Sequence, residues 1–290
     1  MKNRRQLATW LGVILGTVCA LLLTAAEGRA LEAQGKLTEE FHQTYPLSPG
    51  GRIELKNING AVHITAWDRN EVKVDAIKYA NSQERLDDAK IRIDADKDTV
   101  SIRTDYRQHD LTFDSSGENN PASVEYTLTV PREARLDEIS LINGALNLEG
   151  VSGEVHASCI NGRLLANGLG GRARLSTING PLEVRLDRLA EHSVELSSIN
   201  GSVSLTVPSD VKAELEASTV HGPISNDFGL QVHNHQWVGH DLHGALGGGG
   251  TRIKLSNING TIAIRHASDG HTLSSPKELD PNRSGDDSEL

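Results

Sequence analysis

The sequence predicts an all-β protein, a β-solenoid of stacked coils with a small β-rich cap or side sheet. Three observations carry this expectation. The tripeptide Ile-Asn-Gly recurs at nearly constant intervals, and internal repeats of about 20 residues mark solenoids. Apolar and polar residues alternate with period two on both sides of each recurrence, the pattern of half-buried strands. Aromatic residues make up only 3% of the 290, and none stands between Thr127 and Asp227. Small stacked aliphatic layers suit such a composition better than the thick core of a sandwich.

The motif occurs at Ile58-Asn59-Gly60, Ile142-Asn143-Gly144, Ile160-Asn161-Gly162, Ile178-Asn179-Gly180, Ile199-Asn200-Gly201 and Ile258-Asn259-Gly260, with a variant at Val220-His221-Gly222. From Gly144 the steps are 18, 18, 21, 21 and 38 residues. The last step covers two repeat lengths, which implies a degenerate copy or a loop in its place. Two residues after each glycine stand Val62, Leu146, Leu164, Leu182, Val203, Ile224 and Ile262. Five before it stand Leu55, Ile139, Ala157, Leu175, Leu196, Ala217 and Leu255, and seven before it Ile53, Asp137, Val155, Ala173, Val194, Leu215 and Ile253. Asn-Gly between alternating strands is also a strong hairpin signal, so an antiparallel meander is the alternative. A fixed period with in-register columns suits a coil better. Coils stack at about 4.8 Å, so each Asn amide can bond its neighbour, and Gly permits positive φ at the turn. Cys159 falls in the small polar column of Thr177, Ser198, Thr219 and Asn257 and reads as one more ladder member.

The remaining segments follow in chain order. Residues 1–5 are basic, Leu7 to Thr24 is an uncharged apolar stretch, and small residues follow to Ala30. This reads as an export signal peptide over 1–30, or as an N-terminal membrane anchor through residues 7–24. Residues 72–131 lack the motif. Their longer alternating runs at Val72-Lys73-Val74, Ile91-Arg92-Ile93, Val100 to Arg103 and Val124 to Val130 read as strands of a cap or side sheet. Ser82 to Lys90 reads as one short helix capped by Ser82. Residues 114–121 read as a polar loop. Residues 267–290 read as a disordered acidic tail, with six acids against two basic residues from Asp269 on.

Ile58-Asn59-Gly60, then Ile64-Thr65-Ala66-Trp67-Asp68 and Val72-Lys73-Val74, then Tyr126 to Pro131-Arg132, then the recurring Asn-Gly strands, together resemble the bacterial putative-adhesin β-strand-repeat family and are similar to the related head GIN domains. The resemblance covers roughly residues 41–266. It implies an exported protein with a right-handed parallel β-helix. It brings no defined activity or ligand, so it transfers no functional residue. The His-rich stretch 233–243 departs from it.

Charge and composition bound the function. A net charge of -10 speaks against a nucleic-acid partner. Two cysteines cannot build a disulfide scaffold or a cysteine-rich zinc module. The densest metal-ligand candidate is His233, His235, His240 and His243 with Asp241, whose spacing matches no strong zinc pattern. The outward column six before the glycine reads Glu54, Glu138, His156, Arg174, Glu195, Glu216 and Lys254. Mixed signs along a ladder suit a self-compensating face rather than the acid pair of a glycoside hydrolase. The glycine pairs at Gly150 and Gly153 and at Gly168 and Gly171 lack a following helix and read as turns, not phosphate loops.

These readings lead to an exported envelope protein, periplasmic or at the cell surface. Its expected role is non-enzymatic binding, adhesion or structure, with an envelope or surface protein, or a glycan, as partner. No catalytic residue or cofactor is assigned. A polysaccharide-acting β-helix enzyme and a metal-binding envelope protein are the alternatives.

Overall fold

The computed structural model describes residues 36–106, 120–189, 192–234 and 239–279. The proposed signal or anchor in residues 1–30, His235, Trp237 and the end of the acidic tail lie outside the described residues. The unit from Leu37 onward is built almost wholly of strands.

The strands form where the alternation is. The first group is β1 (Leu37–Pro46), β2 (Arg52–Asn59), β3 (Val62–Trp67), β4 (Glu71–Ala80), β5 (Lys90–Ala95), β6 (Thr99–Asp105) and β7 (Ser123–Pro131). Between β4 and β5 lies the expected short helix, α1 (Gln83–Asp88), whose Ser82 cap accepts from the Arg85 N–H. Four repeats follow as strand pairs: β8 (Arg135–Asn143) with β9 (Leu146–Glu149), β10 (Val155–Asn161) with β11 (Leu164–Asn167), β12 (Ala173–Asn179) with β13 (Leu182–Arg185), and β14 (Val194–Asn200) with β15 (Val203–Val207). The chain closes with β16 (Ala213–His221), β17 (Ile224–Asn226), β18 (His233–Asn234), β19 (His240–Leu246), β20 (Thr251–Asn259), β21 (Ile262–His266) and β22 (Pro276–Glu278).

Two large mixed sheets result. One runs β1-β4-β7-β3-β9-β11-β13-β15-β21-β17 and the other β18-β19-β16-β20-β14-β12-β10-β8-β2-β6-β5, with β22 on β19. Each repeat gives its first strand to the second sheet and its second strand to the first. Asn-Gly therefore joins strands of different sheets and makes no hairpin, which removes the meander alternative for the repeats. Neighbouring repeats pair in parallel, with Asn143, Asn161, Asn179, Asn200 and Asn259 in one row. Inward columns of both sheets belong to one buried cluster, including Leu55, Leu146, Leu164, Leu175, Leu196 and Leu255.

The structure departs from the expected layout in four places. Counting back from Gly144 put Asp137 in an inward column. A register shift at this point instead sets Leu136 opposite both Ile53 and Val155. Leu136 fills the core, and Asp137 turns outward to Arg52 at 2.7 Å, because a bulge changes which residues face in. Second, the strands of residues 72–131 make no sheet of their own. β4 and β7 extend the first sheet beyond β3, and β5 and β6 extend the second beyond β2, so the unpaired edges of the first repeat are covered by continuing its ladders. Third, residues 267–279 of the expected tail pack on the body: β22 pairs with β19, and Ser274 N–H donates to Ser209 O at 2.8 Å.

The fourth departure is the stacking order. Chain order would set the Gly222 repeat beside the Gly201 repeat. Instead β20 lies between β14 and β16, and β21 between β15 and β17. To get there the chain runs back along β16 as β19 and steps over the start of β16 through Gly247–Gly250. All four of these glycines have positive φ. A side chain on Gly247 would crowd the Val211 carbonyl and one on Gly250 the Lys212 carbonyl.

Candidate functional site

The corner where the chain passes from the second sheet to the first is built from three adjacent columns. The glycine column is forced by close approach more than by φ alone. A Cβ on Gly144 would fall on the carbonyl oxygen of Gly60, one on Gly162 on that of Gly144, one on Gly180 on that of Gly162, and one on Gly201 on that of Gly180. Gly201 makes the point, since it lacks the positive φ of the others and is still sterically required. Beside it runs the expected amide ladder. Asn143 Nδ2 donates to Asn59 Oδ1 at 2.9 Å, Asn161 to Asn143 at 2.8 Å, Asn179 to Asn161 at 2.8 Å, Asn200 to Asn179 at 3.0 Å and Asn259 to Asn200 at 2.9 Å. His221 takes the next place in the row.

The buried polar column behind the corner satisfies the glycine carbonyls. Thr177 Oγ1 donates to Gly180 O at 3.1 Å, Asn257 Nδ2 to Gly201 O at 2.7 Å and Cys159 Sγ to Gly144 O at 3.3 Å. Cys159 is thus a ladder member, opposite Leu141 and Thr177. Burial pushes its thiol up to about 11, so it carries no reactive thiolate at neutral pH.

The outward face of the second sheet is the main surface these columns create. It carries a hydroxyl row of Ser140, Ser158, Ser176, Ser197, Ser256 and Ser218 in register. Next to it, Ile142, Ile160, Ile178, Ile199, Ile258 and Val220 form an aliphatic row whose members are 36–44% exposed. The sequence analysis draws no column through these isoleucines, so the row is a finding of the structure. Parity was the available signal, because they stand three residues after an inward column and so must face outward. The charged column lies on the far side of the hydroxyl row and is self-compensated: Arg174 meets Glu195 at 2.9 Å and Lys254 meets Glu216 at 3.0 Å, while Lys56, at the end of the hydroxyl row, meets Glu138 at 2.8 Å. A shallow depression of about 210 Å³ opens there over Glu138, His156 and Arg174.

Among the described residues, the His-rich candidates do not all come together. His233 pairs with Asp241, while His240 lies opposite Asn234 with its Nδ1 2.6 Å from Asn234 Oδ1. Along β19, His240 shares a face with buried Leu242, and His243 shares the opposite face with Asp241. The described histidines of the set are therefore split between two faces. Among the described residues the one convergent metal-type group is Asp210, Asp269 and His271, which bring ligand atoms within 4.8 Å of one another. It borders a groove of about 430 Å³ lined also by Asp187, Arg188 and Lys212. His271 Nδ1 is 3.2 Å from Asp210 Oδ2. The Ser209 hydroxyl and backbone N–H hold the Asp269 carboxyl well below the usual carboxylate range. Sequence reading had placed Asp269 and His271 in a disordered tail. Nearby, Ser209 Oγ lies 3.0 Å from His266 Nδ1, but Ser209 is 1% exposed, so this pair clamps the chain instead of facing a substrate.

No protein-family model matches the chain, and no curated protein matches it. Among solved structures, a "putative cell adhesion protein" from Clostridium sporogenes is 11% identical, with a TM-score of 0.46, covering 79% of this chain and 100% of its own. A "putative adhesin" from Bacteroides fragilis is 10% identical with a TM-score of 0.36, covering 79% and 97%. A further "putative adhesin", from Parabacteroides distasonis, is 10% identical with a TM-score of 0.25 and the same coverages. These likenesses are distant. Among the described residues, no helix is long and apolar enough to cross a membrane.

Proposed function

We propose that the protein is an exported cell-envelope protein with a non-enzymatic binding, adhesion or structural role, and that its paired sheets follow the right-handed solenoid coil implied by the family resemblance. The partner is an envelope or surface protein. Residues 1–30 direct export, or residues 7–24 anchor the chain. The observation that carries this reading is the aliphatic row from Ile142 to Val220 flanked by hydroxyl and amide rows. A contiguous exposed apolar strip rimmed by polar groups marks an interaction surface. Here each side chain is fixed by strand pairing above and below, so little ordering opposes binding. The neutralised charge column supports a contact surface over a hydrolytic one.

Replacing Ile178 and Ile199 together by Thr keeps the β-branch and breaks the row. Binding of the purified protein to immobilised envelope fractions is expected to fall, with an unchanged melting curve. Undiminished binding would remove the row from the function. A screen on acidic and neutral polysaccharides tests the enzyme alternative, which reproducible turnover lost on replacing one outward carboxylate would restore. A second reading, metal binding, is favoured by one observation only, the convergence of Asp210, Asp269 and His271. Stoichiometric zinc uptake lost in His271→Ala would support it.

A further inference from the structure

The last repeat of the chain does not lie last in the stack. β20 and β21 occupy a slot whose walls are the Gly201 and Gly222 repeats. The two walls read the same column positions. Val194 and Leu215 both face Ile253, and Leu196 and Ala217 both face Leu255. What the slot recognises is the repeat pattern. Asn257 Nδ2 donates to Gly201 O at 2.7 Å, Asn259 Nδ2 to Asn200 Oδ1 at 2.9 Å, and the Gly260 N–H to His221 O at 2.8 Å. None of these contacts requires the insert to belong to the same chain. The covalent link to the preceding strand is Gly247–Gly250, which reaches at most about 14 Å when extended. A short hinge held in an unusual conformation, joined to an element that another copy can supply identically, is the arrangement from which exchange between copies arises.

We propose that the β20–β21 repeat is an exchangeable insert, and that two copies of this chain associate by each seating its β20–β21 in the other's slot. This goes beyond the envelope-binding role and does not rest on it. When residues 267–279 cross together with the insert, exchange re-forms every ladder bond named above and the β22–β19 pairing, and changes only the path of the four glycines. The insert does not dwell free in water, because Ile253, Leu255, Ile262 and Ile264 are fully buried in the slot. It leaves only when the body loosens and another insert replaces it. The Ser209–His266 contact and the pairing of β22 with β19 hold the closed form and set the barrier.

The test uses the full-length chain with Cys19→Ser and Cys159→Ser as background. Ser197 and Ser256 are register partners on adjacent strands. At the usual strand spacing of about 4.8 Å they satisfy disulfide geometry. A chain carrying both Ser197→Cys and Ser256→Cys is expected to close on itself under mild oxidation. One batch carrying Ser197→Cys is mixed with another carrying Ser256→Cys, loosened in dilute urea, returned to buffer and oxidised. The expected result is a disulfide-linked dimer. A control mixture pairs Ser158→Cys with Ser256→Cys. Adjacency raises effective concentration from about micromolar to about millimolar, so the 197/256 mixture should cross-link roughly a thousandfold faster than this control. Equal rates in the two mixtures would show collision only and overturn the proposal. So would closure of the doubly substituted chain with no dimer from the mixture, and failure of that chain to close would remove the slot itself.

Discussion

At the residue scale, the corner glycines are held by their neighbours in the stack. Gly180 combines a φ of +144° with a Cβ position already filled by the Gly162 carbonyl. Gly180→Val is therefore expected to destabilise by more than about 1 kcal/mol, read as a lower melting temperature, since the strand pair must part to admit the side chain. Cys159 gives the opposite expectation. Its Sγ donates to a glycine carbonyl, as the Thr177 hydroxyl does, and a serine hydroxyl can do the same. Cys159→Ser should cost no more than about 1 kcal/mol, and native Cys159 should resist alkylation at neutral pH, because burial disfavours the thiolate. Cys159's place was legible because the column that follows it, Thr177, Ser198, Asn257 and Thr219, is small and polar, even though its other neighbour is Leu141. The outward turn of Asp137 was not, because a bulge breaks the count of two on which column reading depends.

At the element scale, individual strands were legible and their order was not. Alternation located β2 to β17, and Ser82 announced α1. The position of β20 between β14 and β16 leaves no trace in the sequence, because its columns match those of every other repeat. The C-terminal segment was misread for a related reason. Polar composition from Asp269 onward resembles a free tail, while its order comes from contacts with the loop around Ser209, about 60 residues earlier in the chain. This segment should respond to acid. Asp269 binds its proton at lower pH in the folded chain than in the unfolded one. Its contribution is therefore fully present above the ordinary Asp value of about 3.9 and is lost as pH falls below it. The protection of the Ser209 and His271 amides, taken against their intrinsic exchange rates at each pH, is expected to fall on acidification through this range. Asp269→Asn should show the lower protection already at neutral pH. Exchange rates at these two amides that follow the global unfolding rate would show that the segment does not open by itself.

At the scale of the whole molecule, the sheets are long and nearly every repeat covers its neighbour, so exposed edges are few. β1 closes the first sheet with ten register pairs to β4, and it places Glu39, Glu40 and His42 on a largely exposed strand. Charges on an edge discourage further pairing. Deleting residues 37–46 would present β4, which is more apolar, as the new edge. The shortened chain is expected to self-associate on gel filtration while keeping its β-sheet circular dichroism. A monomeric elution would show that β1 does not guard the edge. The same stacking governs how the chain ages. Asn-Gly is the sequence most prone to deamidation, since the glycine nitrogen can attack the asparagine side chain to form a succinimide. In the stack that attack is blocked from both sides: the glycine N–H of one repeat donates to the asparagine carbonyl of the next, as Gly144 does to Asn161 and Gly162 to Asn179, while each side-chain amide from Asn143 to Asn259 is tied to its neighbour. Folding thus protects six adjacent weak points at once. A chain that opens would accumulate carboxylates in register along one row, where like charges at strand spacing repel, so each lesion makes the next closure harder. Deamidation in this row would then serve as a chemical clock of how long a molecule has spent unfolded.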